Sequence, residues 1–355
     1  MLASHRFQTV DTLSPVQVGS DVSPEEWDTY VDGNPDATGY HTWRWRTVFE
    51  QAFGHTTRYL AARRNGAVVG VLPLVLFRSP LFGRFVVSLP FVNYGGVVAD
   101  DAAAADALLA EAERLGREAG AAHLELRHQR RQFDRLAVKA HKVSMLLRLA
   151  RTADAAWAVM DRKVRNQIRK AEKSGLTASV GGAECLDDFY RIFATNMRDL
   201  GTPVYPRAFF EQVLEAYGGE AKIVVVSKDG TAVAAGMTVP FRKAIEVPWA
   251  SSLGQFRSMC PNHLLYWSVI QQAIAQGFDV LDFGRSTPGE GTFQFKQQWG
   301  AEPLPLYWEY GLFRGATLPD QSPKNPKFRM AIEMWKRCPL WLTNVLGPRI
   351  VRGIP

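Results

Sequence analysis

Twice in this chain two β-rich runs are joined by a two-residue turn suited to little except a hairpin. Arg58 to Arg63 leads through Asn65-Gly66 into Val68 to Phe77, and Lys222 to Ser227 leads through Asp229-Gly230 into Ala232 to Phe241. Asn-Gly and Asp-Gly accept the positive φ that such turns need at both central positions, so each pair of runs is predicted to be an antiparallel hairpin. The surroundings of the hairpins repeat as well. Before the first lie a helix beginning at Ser23-Pro24-Glu25-Glu26-Trp27, with Ser23 as cap and Asp32 to Pro35 as stop, and a second carrying Trp43, Trp45, Val48, Phe49 and Phe53. After it come one or two strands within 84–98, an alanine-rich helix over 101–120 and a strand at 123–127. Around the second hairpin the order is helices at 157–174, 186–198 and 206–217, a strand at 244–250, a helix at 261–276 stopped by Gly277, and a strand from Val280 to Phe283. This is an internal duplication at domain scale, with an α/β (α+β) fold. Its expected units are 1–150, 151–317 and a tail at 318–355. A short strand is also expected within residues 1–20.

Composition removes several function classes. The 355 residues, 46% hydrophobic and 22% charged, fit a soluble globular chain of about two domains. No apolar run reaches membrane-spanning length, and the N-terminal segment lacks a secretory core, so a cytoplasmic location is expected. Cys185, Cys260 and Cys338 are too few and too far apart for a disulfide framework. The seven histidines form no metal-binding spacing, and no metal is expected. A net charge of +7 favours an anionic partner without choosing among nucleic acid, nucleotide sugar, phosphorylated lipid and membrane surface.

The densest chemistry lies at 278–310. The strand Val280 to Phe283 ends at Gly284, where Arg285, Ser286 and Thr287 emerge, and Pro288-Gly289-Glu290-Gly291 is expected to be an open loop presenting Lys296 among Phe293, Phe295 and Trp299. An ammonium shielded by rings can act strongly on a developing charge. The plainer alternative is a strand-closing salt bridge between Asp282 and Arg285, with Lys296 a surface lysine. Gly284-Arg285-Ser286-Thr287-Pro288 is no nucleophile elbow, since the second glycine comes one residue late and no helix is expected to follow. Neither a Walker loop nor a dinucleotide fingerprint occurs.

Two basic segments stand apart. Arg162, Arg165, Arg169 and Lys173 make a stripe along the helix over 157–174, which is either a solvated face or an anion site. The tail ends in WKRCPLWLTNVLGPRIVRGIP, where residues 335–355 mix aromatic, apolar and basic side chains; it either packs on its own domain or touches a membrane surface.

RNQIRKAEKSGL, PNHLLYWSVIQQAIAQGFDVLDFGRS and FQFKQQWGAEP, with NYGG at 93–96, together resemble the FemAB-related family of GNAT-like acyltransferases, in particular the group found beside PEP-CTERM exosortase and exopolysaccharide genes. The resemblance implies tandem GNAT-like domains, each a mixed, mostly antiparallel sheet flanked by helices, and transfer of an acyl or aminoacyl group to an amine. It places Lys296 at the transfer centre. Arg285, Asp282 and Ser286 complete the catalytic candidates, with Asp282 orienting Arg285 and Ser286 or Asn93 giving hydrogen bonds. Substrate-binding candidates are Trp43, Asn93, Tyr94, Arg165, Tyr205, Arg207, Asn262, His263, Phe295 and Trp299. The implied partner is an anionic small molecule or a lipid-linked saccharide, with no sequence-specific nucleic acid. No tightly bound cofactor is expected; the acyl donor is acyl-CoA or aminoacyl-tRNA. Arg257 to His263 stands where ordinary GNAT enzymes carry a glycine-rich pyrophosphate loop, and no long helical hairpin for transfer RNA is present. A GNAT-like binding protein without chemistry is the competing class, and convergence of Arg285, Lys296 and the 93–96 loop on one pocket would separate the two.

Overall fold

A computed structural model of the protein describes residues 14–79, 82–313, 315, 318 and 326–354. Both hairpins form. Asn65 and Gly66 take φ of 52° and 82°, and Asp229 and Gly230 take 49° and 76°. The flanking pairs Arg64–Ala67 and Lys228–Thr231 are thereby in register.

The first half of the chain runs β1 (Gln17–Gly19), α1 (Pro24–Gly33), α2 (Arg44–Phe53), β2 (Thr56–Arg64), β3 (Ala67–Ser79), β4 (Gly83–Val87), β5 (Val98–Ala99), α3 (Ala102–Glu118), β6 (His123–His128) and β7 (Ala137–Arg148). The second runs α4 (Ala153–Val159), α5 (Arg162–Lys173), β8 (Leu176–Gly181), α6 (Leu186–Leu200), α7 (Arg207–Ala216), β9 (Lys222–Lys228), β10 (Thr231–Phe241), β11 (Ala244–Ser252), α8 (Pro261–Ala275), β12 (Val280–Ser286), α9 (Gly291–Gln297), β13 (Glu302–Leu312), α10 (Pro326–Lys336) and α11 (Leu340–Val351). Ser23 caps α1 through a capping box: its hydroxyl accepts from Glu26 N–H at 3.2 Å, and the Glu26 carboxylate accepts from Ser23 N–H at 3.1 Å. Of the segment expected to hold the first short strand, residues 1–13 lie outside the described residues, as does the 319–325 linker of the tail.

The strands form one continuous sheet in the order β1-β2-β3-β4-β6-β13-β7-β12-β11-β10-β9-β8, with β5 paired to β3. Among the described residues only β4–β6 and β11–β12 are parallel pairs. The order is a near-palindrome in which the two halves exchange their last strands. Strand β13 leaves the second half to pair with β6, and β7 leaves the first half to pair with β12; β7 and β13 then pair with each other at the centre.

A strand after β12 was not foreseen from the sequence: β13 follows it and crosses to the other half. Two expectations are corrected. The helix expected over 157–174 is two helices, broken at Met160-Asp161, where the Asp161 carboxylate accepts from Lys163 N–H at 2.6 Å and starts α5 anew. Lys296 rides on the short helix α9 rather than on an open loop.

Alternation along the strands sends residues to two faces. Leu72, Leu74, Leu124 and Leu126 pack on α3, and Val224, Val226, Ile245, Val247, Leu281 and Phe283 pack beneath α5 and α8. The opposite face carries one core that spans both halves, joining Trp45, Phe49 and Phe53 of α2 to Phe189, Phe193, Phe209, Phe210 and Trp249. Ring centroids of Phe49 and Phe209 are 6.3 Å apart across that boundary.

Because each half completes its sheet with the other's strand, residues 1–150 and 151–355 produced separately are expected to show no cooperative thermal unfolding. Produced together they should reassemble with the circular dichroism spectrum of the intact chain. A sharp, reversible transition in either half alone would contradict this.

Candidate active site at the junction of the two halves

β11 and β12 run parallel for only three residue pairs, Ala244–Val280, Ile245–Leu281 and Glu246–Asp282, and then diverge. Ile245, Val247, Leu281 and Phe283 face α8, so Glu246 and Asp282 project together from the opposite face at the point of separation. Side chains from the first half meet them there. Tyr94 donates its hydroxyl proton to Asp282 Oδ2 at 2.6 Å, Ser144 of β7 donates to Oδ1 at 2.6 Å, and Gly284 N–H donates to Oδ1 at 2.7 Å. Asn93 donates to Glu246 Oε1 at 2.7 Å. Lys296 is buried at the end of α9 and donates from Nζ to the carbonyls of Gly284 and Arg285, both at 3.0 Å.

The electrostatics separate the roles. Burial raises the pKa of Asp282 against its three donors, while burial and then the Asp282 charge hold the Glu246 carboxyl well above the usual carboxylate range. With Asp282 engaged by three donors, burial and the Asp282 charge favour the protonated form more strongly at Glu246 than at Asp282. Burial lowers Lys296 to about 8, with Asp282 and Glu246 opposing that shift and Arg285 adding to it.

Each of two openings borders part of this cluster. A cavity of about 210 Å³ is lined by Tyr40, Tyr94, Glu246 and Asp282 among others. A larger cleft of about 680 Å³ is lined by Lys296 and Phe295 of α9, by Asn262 and His263 in the first turn of α8, and by Arg257. His263 is held neutral, its pKa lowered to about 4 by burial and by Lys163. The backbone cradle at this helix start is reduced: Pro261 has no N–H, and His263 N–H is bonded to Cys260 O at 3.0 Å.

The expected ion pair between Asp282 and Arg285 does not form. Gly284, at φ 74°, opens an irregularity between Asp282 and Arg285 in the pairing with β7, and the two side chains part. Arg285 is exposed and lies over the Trp308 ring at 5.1 Å; the buried Arg127 lies against the same ring at 4.3 Å. Tyr205 sits beside these two guanidiniums, which oppose the rise in its pKa caused by burial. Nearby, Lys142 Nζ donates to Thr287 Oγ1 at 2.5 Å. Ser286 is buried and its hydroxyl has no partner among the described residues.

Loop residues 93–94 and Lys296 thus converge on Asp282 and Glu246, and Arg285 with Tyr205 forms an adjoining cationic and aromatic patch. The other sequence candidates lie elsewhere. Trp43 packs between Trp27 and Tyr59, at 5.7 and 5.3 Å. Arg207 is tied to Asp187 at 2.8 Å and to Glu211. Arg165 of α5 lines neither opening and its Nε is buried without a partner. Trp299 packs behind the larger cleft against His263 at 6.0 Å. Sequence reasoning missed Glu246, Ser144, Tyr40, Arg127 and Trp308. The one available signal was a lone acid inside the apolar run AIEVPWA.

Residues 158–297, which hold β11, α8, β12, Glu246, Asp282 and Lys296, match the family model described as an acetyltransferase (GNAT) domain. The match spans 140 of the 355 residues, all within the second half. Among solved structures the chain is similar to FemX, at 16% identity and TM-score 0.66 over 82% of this chain and 96% of that one. It is also similar to a tandem GNAT protein from the clavulanic acid biosynthesis pathway, at 11% identity and TM-score 0.56 over 85% and 100%. A third similar structure is the C-terminal domain of a putative lysylphosphatidylglycerol synthetase from Agrobacterium fabrum, at 13% identity and TM-score 0.56 over 81% and 91%. No curated protein sequence matches. The fold is a tandem GNAT arrangement, and its mostly antiparallel sheet flanked by helices agrees with the architecture expected from the sequence.

A carboxyl whose folded pKa is raised costs nothing below its ordinary value and an increasing amount above it, since the folded state resists losing the proton. Glu246→Gln is therefore expected to raise the melting temperature at pH 7, with the gain shrinking toward zero as pH falls through the ordinary glutamate range. Melting curves at stepped pH check this. A lower melting temperature at pH 7, or a gain independent of pH, would count against the charge assignment.

Proposed function

We propose that the protein is an N-acyltransferase that moves an acyl or aminoacyl group onto an amine of a phosphate-bearing cell-envelope or exopolysaccharide precursor, working at the cytoplasmic face. The observation that carries this reading is the cluster of Glu246, Asp282 and Lys296 where β11 and β12 separate inside the GNAT-matching segment. A proton acceptor of raised pKa and a shielded cation, side by side between two openings, suit attack of an amine on an acyl carbonyl. A similar structure whose name joins a lysyl group to phosphatidylglycerol supports an acceptor attached to lipid.

In this mechanism the amine enters beside Tyr94 and Glu246, and the acyl donor lies in the larger cleft. As the amine nitrogen bonds to the carbonyl carbon, its proton passes to the ionised Glu246 carboxylate. Asp282 stays ionised on its three donors and keeps Glu246 a stronger base. Lys296 has two of its three N–H bonds committed to carbonyls and one remaining for the oxyanion. Collapse of the tetrahedral intermediate breaks the bond to the leaving sulfur or oxygen, which departs with the electron pair. Arg285, exposed over the Trp308 ring, gives phosphate a place to bind, while Arg127, buried against the same ring and paired with Glu125, adds its field from behind.

Lys296→Met is expected to keep the fold while lowering transfer about 10²- to 10³-fold, the usual scale for loss of an oxyanion-stabilising group. Incubation with acetyl-CoA or aminoacyl-tRNA and amino-sugar acceptors, followed by mass spectrometry, measures it; wild-type turnover in the variant would remove Lys296 from the centre. The pH profile of kcat/KM should rise as Glu246 loses its proton and fall above pH about 8 as Lys296 becomes neutral. In Lys296→Arg, any remaining activity should lose the alkaline limb, and a limb that persists would belong to another group.

A further inference from the structure

The C-terminal helix α11 presents the wrong surface for a helix that ends in water. Thr343, Gly347 and Val351 form its buried side, and Gly347 lies so close to Val204 that a Cβ there would come within 2.9 Å of the Val204 nitrogen. The outward side, which ordinarily carries charges of both signs, holds Trp341 and Val345, exposed at 68% and 51%, followed one and two turns later by Arg349 and Arg352. No Asp or Glu occurs between Pro339 and Pro355. Leu346 and Ile350 widen the exposed apolar surface, and Met330 and Met334, one turn apart on α10, are also exposed.

The basic end of that helix closes a groove of about 810 Å³ against the ends of β2 and β3. Arg58, Arg78, Arg349 and Arg352 line it, and no carboxylate does among the described residues. Among the described residues their hydrogen bonds are to backbone carbonyls, Arg58 to Thr57 at 2.9 Å and Arg352 to Gly54 at 3.2 Å. His55 adds no further positive charge, since burial and Arg352 hold its pKa near 4. Four like charges around one groove repel, and an anion relieves that cost.

We propose that this face is a docking surface for an anionic phospholipid bilayer, with Trp341 and Val345 inserted at the level of the headgroups and the arginine groove holding lipid phosphates. Charge complementarity singles out this occupant. A soluble anion would account for the groove and not for the apolar ridge beside it, and a second copy of this chain would set cationic faces against each other. No helix among the described residues is long and apolar enough to cross a membrane, so the contact is peripheral. The inference stands apart from the proposed reaction, as it uses none of its residues.

The test is co-sedimentation of the full chain with vesicles of phosphatidylcholine alone or mixed with phosphatidylglycerol, at low and high salt. Binding is expected only to the mixed vesicles and is expected to weaken with salt. Each of Arg58→Gln, Arg78→Gln and Arg349→Gln should lower the partition coefficient about fivefold. Trp341→Ser with Val345→Ser should lower it at least about tenfold. These side chains are exposed, so the melting temperatures of the variants should match the parent and exclude misfolding as the cause. Equal binding to both vesicle types, no binding to either, or unchanged binding in both sets of variants would each overturn the proposal. So would stabilisation by inorganic phosphate without vesicle binding, or a concentration-dependent dimer lost in the Trp341 variant.

Discussion

The exchange of β7 and β13 is the constraint on which the rest depends. A GNAT-type half that kept its own last strand would leave two sheets meeting edge to edge. Here each edge is closed by the other half, and the strands lie in one hydrogen-bonded ladder. The site follows from this. Ser144, a donor to Asp282, comes from β7, and Trp308, between Arg127 and Arg285, comes from β13. Neither could reach its place if the halves were merely tethered. The shared aromatic core of α2, α6 and α7 fixes the same relation from one face of the sheet, with aromatic pairs each contributing about 0.5–1.5 kcal/mol beyond the area they bury.

Comparison of the halves shows how one carboxylate is locked in an ion pair while its counterpart is left to hydroxyl donors. β4 and β6 pair in parallel at Val87–Glu125, as β11 and β12 do at Glu246–Asp282. Both inner strands then carry an arginine, Arg127 in the first half and Arg285 in the second. Glu125 and Arg127, with one residue between them, are buried together in an ion pair of 2.8 Å. In the second half Gly284 adds a residue, and its positive φ turns Arg285 away, so that Asp282 is left to Tyr94, Ser144 and Glu246. The first half also has Val87 where the second has Glu246, so it lacks a second carboxyl to push the first. One inserted glycine and one acid separate a locked pair from a titrating one.

Much of this was legible in the sequence because it is local. The two hairpins, the Ser23 capping box, the alanine-rich α3 and the helix ended by Gly277 each depend on residues within a turn or two, and each appears as read. What failed was long-range. β7 and β13 have partners in the opposite half, and β13 carries Pro303 and Pro305, which hide its strand character. Lys296 was found from its aromatic neighbours, whereas Glu246 was not, since its meaning comes from standing opposite Asp282 on a strand 36 positions away in the register Glu246–Asp282. The Asp282–Arg285 pair was misread because a single positive-φ glycine changes which side chains face each other, and a sequence shows the glycine without showing its φ.

The same cluster is poorly designed for stability. Two carboxyls and an ammonium are crowded beside one another, Ser286 has a buried hydroxyl without a partner, and burial works against the charge on all three titrating groups. Apolar residues of similar size would commonly serve a fold as well or better at such positions. A structural network would be expected to satisfy its members, as the first half does: His128 donates to Glu309 at 2.6 Å, and the same carboxylate accepts from Gln132 and Phe133 N–H. The Glu246 carboxyl and the Lys296 ammonium each line a cavity, the smaller and the larger respectively. Titratable groups held at an opening against the cost of their burial are the pattern expected of a binding or proton-transfer site.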